Sequence, residues 1–124
     1  MRIEEVAGKV VEHWTPQEVK AALDAGKIVL IDVRTPQEFM FEHIEGALLD
    51  PMAYFNPATL PTGDSKQIVL HCGSGARSRN LAGKCLAAGL GRSAHMEGGF
   101  GAWKAAGLPF IGTDMSTGSP KRVG

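Results

Sequence analysis

The chain has 124 residues, enough for one hydrophobic core and too few for two ordinary domains. Hydrophobic side chains make up 44% and charged side chains 21%, which is typical of a globular protein, and no apolar run approaches the roughly 20 residues that a membrane span needs. The 13 basic and 13 acidic side chains cancel, and the sequence has no stripe of basic and aromatic residues, so we expect neither nucleic acid nor a membrane as a partner.

The start of the chain and the cysteine count indicate a reducing compartment. Residues 1–5 lack the apolar stretch and the small-residue cleavage site of a secretory signal. Two cysteines do not make a disulfide framework, and a free reactive thiol favours a reducing environment. We therefore expect a cytoplasmic protein.

The first half of the chain predicts two short helices and a buried strand. Thr15 precedes Pro16 and lies three residues before Glu18, which is a capping box with proline at the first helical position. The same pattern begins at Thr35. The apolar run 28–32 is typical of a strand that is buried on both faces of a parallel sheet. The remaining segments are an N-terminal extension (1–14) that docks loosely or caps a sheet edge, a brief strand (47–49) and an irregular stretch (51–61).

The second half continues the alternation of strands and helices. The polar end of the chain, 112–124, is predicted to be a flexible tail. The elements before it are an apolar strand at 67–71, a helix at 77–88 that ends at Gly89, a short strand at 93–96 and a helix at 99–106.

Alternating helices and strands imply parallel strands joined by right-handed crossovers. We therefore predict an α/β fold for one domain over residues 15–111, with a central, mostly parallel sheet and helices on both faces. Ligands of such sheets bind beyond the carboxyl ends of the strands. Cys72 lies at such an end, directly after the strand at 67–71.

The loop from Cys72 to Arg77 carries the chemistry. At the junction of a strand and a helix, backbone N–H groups and the helix dipole favour a thiolate over a thiol. The four residues between Cys72 and Arg77 are small, so the backbone can curl and present its amides inward. Arg77 adds a permanent charge and planar donors for an oxyanion or for the thiolate. The loop therefore predicts a nucleophilic, anionic sulfur.

The other cysteine is expected to be a small buried hydrophobe. Cys85 lies eight residues beyond Arg77, about 12 Å along the predicted helix. That distance makes a disulfide with Cys72 a poor prospect, because the Cα atoms of a disulfide lie within about 7 Å.

The surroundings of Cys72 are the basic part of an acidic chain. Residues 1–70 hold six basic and eleven acidic side chains, a net charge of −5, whereas residues 71–96 hold four basic side chains and no acidic one. Such a segment could attract a small anion. Within it, Arg79 is either a second anion contact or a surface residue.

Several segments, in order, resemble the rhodanese-like sulfurtransferases, and the resemblance runs from about residue 15 to residue 110. They are the Cys-x4-Arg loop at 72–77, the Asp-Val-Arg segment within 31–39, the His-Ile-Glu-Gly-Ala segment at 43–47, and the closing segment 97–103 with Gly-Leu-Pro at 107–109.

This resemblance implies that Cys72 accepts a sulfane sulfur and becomes a persulfide. The donor would be a small anion such as thiosulfate or a low-molecular-weight persulfide, and the acceptor would be cyanide, a thiol or a protein, with no metal or cofactor. Loops of thiosulfate-handling relatives often carry more charge than this one, which leaves the physiological donor open. The implied site residues are catalytic Cys72 and Arg77, substrate-binding Gly73, Ser74, Gly75, Ala76 and Ser78, and supporting Asp32 and Arg34.

Two other classes of protein use similar residues. Phosphatases and arsenate reductases of related fold close a loop with five residues between cysteine and arginine, whereas here Arg77 closes it after four and position 78 is Ser. A non-catalytic sulfide- or redox-sensing module would present the same thiolate to a partner protein. Turnover separates an enzyme from such a sensor, because a sensor loads once and releases slowly.

Overall fold

The computed structural model describes residues 1–61 and 66–124. The helices are α1 (Pro16–Asp24), α2 (Pro36–Phe41), α3 (Ala76–Ala87) and α4 (Gly99–Ala105), with 3₁₀ turns at Met52–Tyr54 and Pro57–Thr59. The strands are β1 (Arg2–Val6), β2 (Lys9–Trp14), β3 (Ile28–Asp32), β4 (Leu48–Leu49), β5 (Gln67–His71), β6 (Arg92–Met96), β7 (Phe110–Thr113) and β8 (Pro120–Val123).

Six strands form one sheet in the order β1-β2-β6-β5-β3-β4. Neighbouring strands are parallel except at the edge, where β1 runs antiparallel to β2. Leu30 and Ile31 of β3 belong to separate core clusters, because alternate side chains of a strand point to opposite faces. Val19 of α1 and Trp103 of α4 pack in the first cluster, and Leu81 of α3 packs in the second. The predicted α/β fold with helices on both faces is confirmed.

Both capping boxes form and set the starts of α1 and α2. Thr15 Oγ1 accepts a hydrogen bond from the Glu18 N–H at 3.1 Å, and Glu18 accepts one from the Thr15 N–H at 2.9 Å. The matching distances between Thr35 and Glu38 are 3.2 and 3.0 Å. The helix starts that these residues predict are confirmed.

The N-terminal residues form the β1–β2 hairpin, which caps one edge of the sheet, one of the two arrangements that the sequence left open. β2 pairs with β6 from Val10 opposite Arg92 to Trp14 opposite Met96. The β1–β2 hairpin is therefore part of the six-stranded sheet.

The C-terminal segment is a hairpin, which corrects the prediction of a flexible tail. β8 pairs antiparallel with β7. Asp114 makes the turn between them by accepting a hydrogen bond from the Ser116 N–H at 2.9 Å. A bridge between His43 and Ile111 joins the hairpin to the rest of the domain. In the part of the chain that the structure describes, no helix is both long and apolar enough to cross a membrane.

Candidate active site

The candidate site is the turn between β5 and α3. Cys72 directly follows β5, and Gly75, the residue before α3, has a left-handed backbone with φ of 102°. A side chain there would be strained, and its Cβ would lie 3.1 Å from the Gly98 nitrogen. This tight turn allows the first amides of α3 to point back at the Cys72 sulfur.

Backbone amides surround the Cys72 thiol. The Gly75 N–H donates to Cys72 Sγ at 3.1 Å, and the Ser78 N–H donates to it at 3.4 Å. Burial is the largest influence on the pKa of the Cys72 thiol and raises it, but the Ser78 N–H, the Ser78 hydroxyl and the N–H groups of Gly75 and Ser74 together lower it below its ordinary value. The geometry favours the thiolate.

Cys85 has the opposite environment, although it lies in the same core cluster as Cys72. It is buried on the inner face of α3, and burial raises the pKa of its thiol to about 11. A thiol of this kind is not a nucleophile at neutral pH. The two cysteines are free.

Arg77 is held beside the loop by an acidic partner from α2. Its Nη1 and Nη2 atoms donate to the two carboxylate oxygens of Glu38 at 2.9 and 3.1 Å. The Glu38 hydrogen bond raises the pKa of the arginine, and the arginine lowers the pKa of Glu38 to about 2. Arg79 is bound to Glu4 of β1, with Nε at 3.1 Å and Nη2 at 3.0 Å from the carboxylate oxygens.

Asp32 and Arg34 form a buried ion pair after β3. The Arg34 Nε and Nη2 atoms donate to the Asp32 carboxylate at 3.0 and 2.8 Å, and Nη2 also donates to the Glu42 carbonyl at 2.7 Å. The pair therefore links the end of β3 to the end of α2, the helix that carries Glu38. Neither side chain contacts the sulfur of Cys72.

The start of α4 supports the loop from behind. The Phe100 N–H donates to the Cys72 carbonyl at 2.8 Å, and the Gly101 N–H donates to the Gly73 carbonyl at 3.0 Å. At Gly99, with φ of 62°, an added Cβ would lie 2.5 Å from the Cys72 oxygen. The loop and α4 approach each other so closely that only glycine fits between them.

The remaining loop residues that the sequence singled out occupy different positions. Ser74 and Ala76 are exposed and form the rim of the turn, and Gly73 is partly exposed. Ser78 is fully buried on α3, where its hydroxyl oxygen lies 2.9 Å from His95 Nδ1. Cys72 itself has no exposed surface.

A row of buried polar side chains that no sequence motif predicts runs from Ser78 to Glu4. Ser78 Oγ lies 2.9 Å from His95 Nδ1, His95 Nε2 lies 2.7 Å from His13 Nδ1, and His13 Nε2 lies 2.8 Å from Glu4 Oε1. A signal existed, because each histidine is the second-last residue of its strand, but the row forms only when β2 pairs with β6. Among the described residues, no group of three or more His, Cys, Asp and Glu side chains is placed to hold a metal ion.

Comparison with known proteins identifies the family. The model of the Rhodanese-like domain family matches residues 15–106, most of the chain. The chain belongs to the rhodanese-like family. An uncharacterized protein of Synechocystis sp. is 40% identical to this rhodanese-like chain over 98 residues, which are 79% of the chain and 55% of that protein. The chain thus spans about half the length of this relative.

Two further rhodanese-like comparisons agree with the family. A protein of Allochromatium vinosum named sulfurtransferase is 33% identical over 88 residues, which are 71% of this chain and 82% of that protein. The solution structure of the rhodanese-like domain of an Anabaena protein has the same fold, with a TM-score of 0.70, 23% identity, and coverage of 90% of this chain and 86% of that one. The comparisons support membership of a sulfurtransferase family.

Proposed function

We propose that the protein is a sulfurtransferase that carries a sulfane sulfur as a persulfide on Cys72. The observation that carries this proposal is the pair of backbone N–H groups that donate to Cys72 Sγ, Gly75 at 3.1 Å and Ser78 at 3.4 Å. These donors lower the pKa of the Cys72 thiol, and they can equally hold the terminal sulfur of a persulfide anion.

The reaction has two displacement steps. The Cys72 thiolate attacks the sulfane sulfur of thiosulfate or of a small persulfide, a sulfur–sulfur bond to Cys72 forms, and the donor's sulfur–sulfur bond breaks. Its electron pair leaves with sulfite or a thiolate, near the loop amides and Arg77. Cyanide or a thiol then attacks the terminal sulfur, and the Cys72 thiolate is restored. Because Cys72 is completely buried, neighbouring residues have to move before a donor can reach its sulfur.

The size of the loop supports sulfur over phosphate. Four residues separate Cys72 from Arg77, and the amides of Gly75 and Ser78 already lie within 3.4 Å of a single sulfur atom. A tetrahedral oxyanion would need a wider ring of donors. We therefore expect no hydrolysis of aryl phosphates, and hydrolysis that depends on Cys72 would replace the sulfur-transfer proposal.

Steady-state formation of thiocyanate from thiosulfate and cyanide tests the proposal. Cys72→Ser should reduce turnover to the uncatalysed rate, because a hydroxyl is not ionised at neutral pH. The matched control, Cys85→Ser, should keep turnover and lose about 1–3 kcal/mol of stability from a hydroxyl in an apolar environment. Equal loss of turnover in two well-folded variants would contradict the assignment. Loading without turnover would instead indicate a sensing module.

A further inference from the structure

The Glu38 carboxylate lies against the turn that carries Cys72. It binds Arg77 through both of its oxygens, with Nη1 at 2.9 Å from Oε1 and Nη2 at 3.1 Å from Oε2. This ion pair borders Gly73, the residue directly after Cys72, because a Cβ added at Gly73 would lie 3.1 Å from Arg77 Nη2 and 3.9 Å from Glu38 Oε2. Glu38 therefore places a negative charge beside the backbone of the turn.

Two sets of hydrogen bonds hold the Glu38 side chain in this position. Besides the contacts with Arg77, its Oε1 atom accepts a hydrogen bond from the Thr35 N–H at 3.0 Å, which is half of the capping box of α2. The hydrogen bond from Arg77, more than any other influence, lowers the pKa of Glu38 to about 2. The side chain is therefore a carboxylate at neutral pH.

Arg77 meets an incoming oxyanion with its paired donors already occupied. A guanidinium binds a carboxylate or a phosphate most strongly through two parallel N–H groups. In Arg77 such a pair, one N–H on Nη1 and one on Nη2, already donates to Glu38. An oxyanion that takes the same position has to displace the Glu38 carboxylate, and the two negative charges repel each other.

The other charged groups around the turn do not offset this repulsion. The negative groups are the Cys72 thiolate, Asp32 and Glu38. The positive groups are Arg77 and Arg34, and Arg34 is buried and bound to Asp32. Three negative and two positive groups leave a net charge of −1 when the thiolate is ready to react. A donor with two negative charges is therefore disfavoured more than a donor with one.

We propose that Glu38 makes the Cys72 site select sulfur donors by charge, against the dianion thiosulfate and in favour of donors that carry one negative charge, such as persulfide and thiosulfonate anions. Glu38 is then a specificity-determining residue, although it takes no part in the making or breaking of bonds. This inference deepens the proposed function and rests on it, because it names the class of donor for the same transfer.

Thiosulfate and methanethiosulfonate are a matched pair of donors for the test. They differ in one group on the central sulfur, which is an oxide in thiosulfate and a methyl group in methanethiosulfonate, so thiosulfate carries one more negative charge. The Cys72 thiolate attacks the terminal sulfur of either donor, and the donor's sulfur–sulfur bond breaks. The electron pair leaves with sulfite or with methanesulfinate, and both reactions give the same Cys72 persulfide.

Stopped-flow measurement of the second-order rate constants for loading by these two donors tests the proposal. Glu38→Gln removes the charge and keeps the shape, and glutamine at this position still completes a capping box. We expect the ratio of the thiosulfate to the methanethiosulfonate rate constant to rise about fivefold, the effect of one unit charge on another roughly 4 Å away in bulk water. A displaced turn would slow both donors, so the ratio isolates the effect of charge.

Two variants are matched controls for this change. Glu38→Asp keeps the negative charge but shortens the side chain, so the ratio should stay near that of the parent protein. Glu45→Gln removes a carboxylate that pairs with Arg122 of the C-terminal hairpin and should leave the ratio unchanged. An equal rise in Glu38→Asp and Glu38→Gln would show that the position of Arg77 sets the ratio, and would overturn the proposal.

The possible outcomes separate this inference from the proposed function. Loading from both donors with an unchanged ratio in a folded Glu38→Gln protein would overturn the selection by charge and leave the sulfur transfer intact. A parent protein that gains no sulfur from either donor would contradict the proposed function and the selection with it. A ratio that rises in Glu38→Gln and stays constant in the two controls would support both.

Discussion

At the scale of residues, the two cysteines show how local hydrogen-bond donors decide the direction in which the pKa of a thiol shifts. Both are buried and belong to one apolar cluster. Of the two thiols, that of Cys72 accepts hydrogen bonds from backbone N–H groups, and its pKa is lowered, whereas burial raises the pKa of the Cys85 thiol to about 11. Desolvation acts on both thiols in the same direction, so the amides of the turn make the difference.

Arg77 gives a prediction at this scale. Its charge acts on Cys72, and its remaining N–H groups can hold the departing anion. Arg77→Ala should slow persulfide formation on the order of a hundredfold and move the pH–rate profile of loading to higher pH, since loss of a nearby cation raises the pKa of a thiol. Arg77→Lys should recover part of the rate, because an ammonium keeps the charge but not the planar pair of donors.

The control for this prediction is another arginine bound by a glutamate. Arg122→Ala removes the exposed ion pair with Glu45 on the C-terminal hairpin and should leave loading unchanged. Stopped-flow loading with thiosulfate measures both variants. If Arg77→Ala loads sulfur at the parent rate with the parent pH profile, then Arg77 only braces the loop against Glu38.

At the scale of elements, the turn that carries Cys72 depends on the start of α4. Gly99→Ala would place a Cβ within 2.5–2.7 Å of the backbone of Cys72 and Gly73, so the turn would have to move. We expect a loss of about 1–3 kcal/mol beyond the cost of the left-handed backbone, together with slower loading, because the amides would leave the sulfur. Urea unfolding and loading rates measure the two effects.

Gly107→Ala is the matched control for this change. Its φ of 74° imposes a similar backbone cost of about 1–2 kcal/mol, but an added Cβ meets nothing within 4 Å. It should therefore lose stability without losing loading rate. Similar results for the two variants would show that the contact between α4 and the turn does not matter.

The elements that local sequence determines are those that the sequence predicts best. Thr15 and Thr35 start their helices through bonds made within four residues. The strands β1, β2 and β8 are different, because they are strands through their pairing with neighbouring strands and not through a pattern in their own sequences. β2 contains Glu12 and His13, which are polar yet buried, and Gln67 and His95 of other strands bond to them. Nothing near β2 in sequence reveals these partners.

At the scale of the whole molecule, the basic segment at 71–96 is largely neutralised by the acidic first half of the chain. Arg77 pairs with Glu38, Arg79 with Glu4, and Arg92 with Glu12. These pairs join distant parts of the chain across the sheet. These ion pairs weaken the attraction between the basic segment and small anions, which the charges of the sequence alone would predict.

The effect of salt on loading tests this neutralisation. For the parent protein, the loading rate with thiosulfate should change less than about threefold between about 0.01 and 0.15 M salt, because paired surface charges steer weakly. Glu38→Gln leaves Arg77 without its carboxylate and should make the salt dependence steeper. Glu45→Gln, which releases Arg122 on the hairpin, is the control, and a steep decline in the parent protein would contradict the prediction.

The part of the candidate site that lies in consecutive residues could be predicted from the sequence. Cys72, its small neighbours and Arg77 lie in six consecutive residues, so the sequence alone indicates their chemistry. The contact between Glu38 and Arg77 spans 39 positions, and the contact between His13 and His95 spans 82. Such contacts depend on the order of the strands and the placement of the helices, which no short segment encodes.

Intact-protein mass spectrometry after exposure to thiosulfate or glutathione persulfide is the most direct test of a persulfide on Cys72. We expect a gain of one sulfur atom that maps to the peptide containing Cys72, disappears on addition of cyanide, and is absent from Cys72→Ser. A sulfur that remains in the Cys72→Ser protein, or a parent protein that gains none from either donor, would contradict it.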